Sequence, residues 1–160
     1  MGYSHCVYVG ALMKVVTNPI NESVSYWMCE NLHEFGITYY DQRYQFCPTC
    51  GKPVSARDVK ETRYPTEYDL IPDKWVDRLQ SHHEFSGLPD NELIFFSNEG
   101  AGRFEHYSRD ENGYREITPD NTIAPVEAFK TKYADIIDHL MGRQDVKSVA
   151  VFFGVHAYTF

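Results

Sequence analysis

Four cysteine and histidine residues have the spacing of a metal site. Three residues separate Cys29 from His33, two separate Cys47 from Cys50, and 13 lie between the pairs. Zinc in structural sites takes four tetrahedral nitrogen or sulfur ligands, which two closely spaced pairs in one short segment can supply. The spacing therefore predicts a structural Zn²⁺ held by three thiolates and one imidazole. Four protein ligands leave no coordination position for a catalytic water, so no catalytic residue is predicted at this metal.

The residues around the second pair favour a tight metal-binding turn. Pro48 stiffens the turn, and Gly51 lets the backbone fold back so that amide N–H groups point at the sulfur atoms. This Cys-Pro-Thr-Cys-Gly sequence, with aromatic residues leading into each pair, resembles the knuckle of the zinc-ribbon family over residues 25–55. The resemblance implies a structural zinc and a role as a nucleic-acid binder, a protein-docking module or a passive staple. The first pair departs from the commonest family pattern, in which another Cys-x-x-Cys is expected.

Two other residues compete with His33 for the fourth ligand position. Cys6 would complete a four-thiolate site if the first strand runs past the turn, and His5 beside it is a weaker candidate. A Cys-x-x-Cys can also be redox-active, but such a pair normally opens a helix, and Gly51-Lys52-Pro53 would stop one. Zinc bound by the two closely spaced pairs therefore remains the prediction.

The longer elements are predicted from apolar patterns. Residues 6–16 are apolar on both alternating faces and rich in β-branched side chains, which favours a buried strand. The run 149–155 has the same character and is expected to be a second buried strand, central in a sheet. An apolar stripe over residues 125–141 predicts a long helix, and a weaker pattern predicts another over residues 72–82.

Shorter signals complete the predicted fold. Residues 93–96 have the composition of a short core strand, and residues 103–108 and 114–118 that of a hairpin turning at an Asn-Gly. Residues 25–55 are too few for a core of their own and would need the metal. We therefore predict an α+β fold that has a mixed sheet with buried N- and C-terminal strands, two helices and a zinc-ribbon-like insertion. A single domain over residues 1–160 would carry the insertion as a subdomain.

The formal charge of −8 on the 160 residues is unevenly placed. Residues 61–123 hold 14 acidic and six basic side chains, whereas the segments on either side are balanced. Non-specific nucleic-acid binding depends on Lys and Arg that neutralise phosphates, so this composition argues against a general nucleic-acid binder. The acidic stretch either keeps the protein in solution or forms a surface that meets a basic protein partner. The sequence has no basic start followed by an apolar stretch and no apolar run of membrane-spanning length. We therefore expect a soluble, cytoplasmic protein that does not enter a membrane.

These observations favour a non-enzymatic, intracellular, zinc-stabilised binding or regulatory protein that acts through protein–protein contacts. One alternative is a small hydrolase or nucleotide-handling enzyme that uses a histidine with nearby arginines. Its candidate residues are Glu99, Arg103, His106, Tyr107, Arg109 and His156. A second alternative is nucleic-acid binding through the zinc ribbon. The basic residues near the ribbon are Arg43, Lys52, Arg57 and Lys60.

Overall fold

A computed structural model describes residues 5–39, 43–81, 88–108 and 117–159. The chain divides into two compact units. The segment Ile20–Arg63 forms one, which we call the metal unit. The chain before and after this segment forms the other, which we call the core unit.

The core unit is built on one long antiparallel strand pair. Strand β1 (His5–Thr17) pairs along its whole length with β8 (Val146–Thr159). The side chains of β1 alternate between two apolar environments, since Ala11, Met13 and Val15 belong to the main core and Tyr8 and Leu12 to a second cluster. β1 is therefore the buried central strand that its sequence predicts.

Two further strands share the other edge of β1. Strand β6 (Glu92–Ser97) pairs with the C-terminal half of β1, and β7 (Arg103–Ser108) pairs with the N-terminal half. Because β8 occupies one edge of β1 throughout, β6 and β7 lie end to end on the opposite edge. The short strand β5 (Leu79–Ser81) extends the sheet beyond β6. The predicted strand at 93–96 is confirmed, whereas residues 114–116 of the predicted hairpin lie outside the described residues.

A five-residue loop between β6 and β7 fastens the sheet to a helix. Gly102 in this loop has a φ of 76° and accepts a hydrogen bond of 2.8 Å from the amide of Ala11. A Cβ atom at this position would lie 2.8 Å from the Ala11 Cβ and 2.9 Å from the Phe129 Cβ. Only glycine satisfies both the backbone conformation and the close approach.

The long helix expected over residues 125–141 is two helices, α2 (Pro119–Lys132) and α3 (Ala134–Met141). The first begins earlier because Thr118 forms a capping box with Asn121 and Pro119 occupies the first turn. The break falls at Tyr133, which leaves the helical conformation with φ −113° and ψ 22°. The predicted stripe itself faces the core. Its fully buried members are Phe129, Tyr133, Ile136 and Leu140. None of the helices within the described ranges combines the length and apolar composition needed to cross a membrane.

The helix predicted over residues 72–82 is wrong. The described part of this region holds a 3₁₀ turn (Asp73–Trp75) followed by β5, with a short helix α1 (Glu67–Leu70) upstream. Leu79 pairs with β6 and its side chain is buried in the main core, whereas Val76 is 44% exposed, so the two do not share a helix face. Pairing at the edge of the sheet outweighs a weak local helix pattern.

The prediction that β8 is buried and central also needs correction. Among the described residues β8 pairs only with β1, which makes it an edge strand. Phe152 is 38% exposed and Val155 is 60% exposed. An apolar run does not distinguish a strand covered on both sides from an edge strand with apolar side chains in solvent. The α+β class is confirmed, and the described strand pairs are antiparallel throughout where a mixed sheet was expected.

The metal unit is a three-stranded antiparallel sheet. Strand β2 (Ile20–Cys29) lies between β3 (Glu34–Ile37) and β4 (Val54–Arg63). Across β2 and β4, Tyr26 donates a hydrogen bond of 2.6 Å to Glu61, and Arg63 pairs with Glu22 at 2.6 Å. The register of β2 and β4 places Cys29, at the end of β2, opposite Val54, at the start of β4.

Candidate metal centre

The first ligand pair lies in a tight turn between β2 and β3. Cys29 is the last residue of β2, and its amide donates a hydrogen bond of 3.2 Å to the carbonyl of His33, which closes the turn. The amide of Leu32 donates to the carbonyl of Cys29 at 3.0 Å. Leu32 has a φ of 61° and is the one non-glycine residue with positive φ in the described chain. This turn aims the Cys29 and His33 side chains at the same point.

The second pair lies in the turn that enters β4. The amide of Cys47 donates to the carbonyl of Lys52, and the amide of Gly51 donates back to the carbonyl of Cys47, both at 2.8 Å. Gly51 has a φ of 71°, which explains the glycine after the second cysteine. Since Val54 pairs directly with Cys29, the register of β2 and β4 brings the two turns together.

The four side chains converge to the dimensions of a tetrahedral zinc site. Their ligand atoms all lie within 4.8 Å of one another. The Cys29 Sγ lies 3.6 Å from the Cys50 Sγ and 3.5 Å from the His33 Nδ1, which lies 3.2 Å from the Cys47 Sγ. Tetrahedral zinc bonds to sulfur and nitrogen place two sulfurs about 3.8 Å apart and a sulfur and a nitrogen about 3.6 Å apart. The donor set and its spacing therefore fit Zn²⁺.

The backbone around Cys47 favours the thiolate that a metal requires. Burial alone would raise the pKa of Cys47, but hydrogen bonds from the Cys50 amide and side chain, the His33 ring and the Thr49 amide outweigh it and lower the pKa to about 6. The thiolate is the form of cysteine that binds metal. At Cys50, hydrogen bonds from the backbone of Lys52 and the side chain of Asn31 lower the pKa, but burial and the neighbouring Cys47 and Cys29 thiols outweigh them, so the pKa of Cys50 is raised.

Little apolar material surrounds the site. Cys29, Cys47 and Val54 form a small buried cluster, against which Trp27, Phe35 and Cys50 pack. All three cysteines are free thiols. The cluster is thus built largely from the ligands themselves.

The structure brings together all four of the side chains proposed as ligands. The rival candidates Cys6 and His5 belong to β1 of the core unit, and their side chains lie outside the described part of the chain. Sequence reasoning missed Asn31 and the positive φ of Leu32. The only available signal for either was their position between two ligands.

The structure describes the side chains of three of the six residues of the alternative enzyme site, Glu99, Arg103 and His156. Glu99 forms an ion pair of 3.2 Å with Lys132, and Arg103 is exposed. Tyr8 of β1 pairs with His106 on one neighbouring strand, β7, and with His156 on the other, β8. The His156 ring lies against Phe96. Of the remaining candidates, Arg109 and the side chains of His106 and Tyr107 lie outside the description.

Comparison of this chain with protein-family models, curated proteins and solved structures finds no match in any of the three. The likeness to zinc ribbons therefore rests on the Cys-Pro-Thr-Cys-Gly knuckle and on the four clustered side chains.

Proposed function

We propose that this chain is a zinc-stabilised binding protein in which the metal is structural and the metal unit presents a surface to a protein partner. The convergence of Cys29, His33, Cys47 and Cys50 carries the proposal. Four protein ligands satisfy a tetrahedral Zn²⁺ without leaving a position for substrate or water. When bound, the metal holds the turns at the ends of β2 and β4 together, which is a folding role and requires no reaction.

Exposed apolar side chains next to the metal support the binding role. Leu32 is 66% exposed and Phe46 is 60% exposed, and they lie in the first turn and at the entry to the second. Leu32 also occupies a left-handed backbone conformation that costs a non-glycine residue about 1 kcal/mol. Glycine would occupy this position without the strain, and 66% of the leucine side chain is exposed. Contact with a partner gives this side chain a role.

The charges beside Leu32 indicate the chemistry of that partner. Glu30 and Glu34 are exposed on either side of the first turn, and Lys52 lies 3.5 Å from Glu30. The acidic excess over residues 61–123 has the same sign. The best match is a protein with an apolar pocket bordered by basic residues, since complementary charge speeds association and fixes orientation.

Two measurements test the proposal separately. Elemental analysis of the purified chain should find one zinc per chain, and His33→Ala and Cys50→Ser should each abolish stoichiometric zinc. For the binding role, a partner captured by the native chain is purified and its affinity is measured for Leu32→Gly and for a matched control, Val76→Gly, an exposed apolar residue of the core unit. We expect Leu32→Gly to keep zinc and lose affinity at least tenfold, and Val76→Gly to keep both. Retained affinity in Leu32→Gly, or a captured ligand that is nucleic acid, would refute protein binding through this surface and leave the zinc site standing.

A further inference from the structure

The edges of the two sheets are protected unequally. Short length or charge blunts an edge strand and discourages pairing with another chain. β3 and β5 are only four and three residues long. β4 is long but carries a charge at half of its ten positions. Those charged residues are Arg57, Asp58, Lys60, Glu61 and Arg63.

β8 has neither form of protection. It is 14 residues long, and after Lys147 it contains no Lys, Arg, Asp, Glu or Pro up to Thr159. No strand in the described residues pairs with the edge of β8 that faces away from β1. Phe152 is paired with Leu12 and Val155 with Val9, so these two exposed side chains project from opposite faces of the sheet. An edge that is long, apolar and uncharged is a template for pairing with another strand.

We propose that β8 pairs antiparallel with β8 of a second copy of this chain, forming a two-fold symmetric dimer with a continuous sheet. The sequence of β8 is complementary to itself about Phe152. In that register Val149 lies opposite Val155 of the second copy, Val151 lies opposite Phe153, and the two Phe152 residues face each other across the axis. Every pair within this central segment is apolar, and no like charges meet.

The composition of this edge indicates that the strand that pairs with β8 comes from a second copy of the chain. The surface proposed for a foreign partner lies on the metal unit beside Glu30 and Glu34, whereas β8 carries no Lys, Arg, Asp or Glu from Ser148 to Thr159. It offers backbone hydrogen-bonding groups and alternating apolar side chains, which are the elements of strand addition. An identical strand supplies both with the same spacing.

The oligomeric state of the full chain tests the proposal. Light scattering coupled to size exclusion should give a mass near twice 18.6 kDa, falling to the monomer mass on dilution. Val155→Lys and Phe152→Lys should each weaken dimerisation at least tenfold, because a lysine at a sheet edge opposes pairing. Val76→Lys adds the same charge to an exposed apolar position away from β8 and should leave the dimer intact. Zinc content and near-ultraviolet circular dichroism confirm that each variant is folded.

A cross-linking experiment gives an independent readout should a lysine variant fail to fold. Phe152→Cys places two thiols opposite each other on the two-fold axis, so mild oxidation should produce a disulfide-linked dimer that the native chain does not form under the same conditions. A native chain that stays monomeric at all concentrations would overturn the proposal. A dimer that survives both lysine substitutions, or one in which Phe152→Cys does not cross-link, would overturn it as well.

Discussion

The two units of this chain differ in how much apolar surface they bury. The main cluster of the core unit has twelve buried residues drawn from its strands and helices, with seven partly buried apolar residues packed against it. The cluster at the metal site has three buried residues, and two of them are proposed ligands. The core unit is thus stabilised by apolar burial, whereas the metal unit has little apolar surface to bury, so the proposed metal would supply much of its stability.

The same contrast is visible in the side chains of β2 and β4. Apart from the cluster at the metal end, the sheet of the metal unit is held by cross-strand polar contacts such as Tyr26 with Glu61 and Arg63 with Glu22. Surface pairs of this kind contribute 0 to about 1 kcal/mol each. A segment of this size with so few buried residues does not fold by burial alone. Metal removal should therefore unfold the metal unit and leave the core unit folded.

The largest expected effect is the response to chelation. Removing zinc with a strong chelator should unfold the metal unit and leave the core unit folded, because structural zinc supplies on the order of 10 kcal/mol of folding free energy to small zinc domains. Limited proteolysis with mass spectrometry should find new cleavage confined to residues 20–63. Cys47→Ser should reproduce the pattern without chelator. Simultaneous loss of hydrogen-exchange protection in β1 and β8 would show that the two units are one cooperative structure.

Lowering the pH should release the metal, whereas raising it should not. The Cys47 pKa is lowered in the folded chain from 9.0 to about 6, so the stability this thiolate contributes is fully present above about pH 9 and is lost as the pH falls through about 6. Protons and Zn²⁺ compete for the same sulfur, which adds to the loss. Zinc retention measured after dialysis at a series of pH values should fall on the acid side while helix content is retained. Zinc loss on the alkaline side instead would contradict this sign.

Two glycines with nearly the same φ allow the effect of an added Cβ at a crowded position to be compared with its effect at an open one. Gly102 of the core unit and Gly51 of the metal unit have φ values of 76° and 71°. An added Cβ meets the Pro125 carbonyl oxygen at 2.8 Å at Gly102 and meets nothing within 4 Å at Gly51. Gly102→Ala should therefore cost about 3 kcal/mol, from backbone strain and overpacking together, and lower the thermal midpoint of the core unit without reducing zinc content. A smaller loss of stability for Gly102→Ala than for Gly51→Ala would mean that the loop moves away from α2 easily.

The sequence allowed the parts of this structure that depend on local spacing to be predicted. The ligand pairs, the turn at Gly51, strand β1 and the apolar stripe of α2 and α3 follow from neighbouring residues. The stripe gave the right face but the wrong ends, because Thr118 and Pro119 start the helix and Tyr133 interrupts it.

The features that escaped prediction depend on contacts distant in sequence. Leu79 is in a strand because β6 lies beside it, and no residue near position 79 indicates this pairing. β8 was predicted to be central because an apolar run has the same composition at the edge of a sheet as in the middle. The left-handed conformation of Leu32 is set by closure of the turn from Cys29 to His33, which the residue types do not specify.

The smallest expected effect compares the two left-handed positions of the metal unit. Gly51→Ala introduces strain where glycine now stands and should destabilise the metal unit by about 1 kcal/mol. Leu32→Gly removes the same strain, but glycine gains about 0.5–1 kcal/mol of backbone entropy in the unfolded chain, so the two terms nearly cancel. Zinc affinity, measured by competition with a coloured chelator, should fall for Gly51→Ala and stay within about twofold of the native value for Leu32→Gly. A parallel fall in both variants would mean that the Leu32 side chain stabilises the metal unit itself, and its exposure would then lose its connection with a partner.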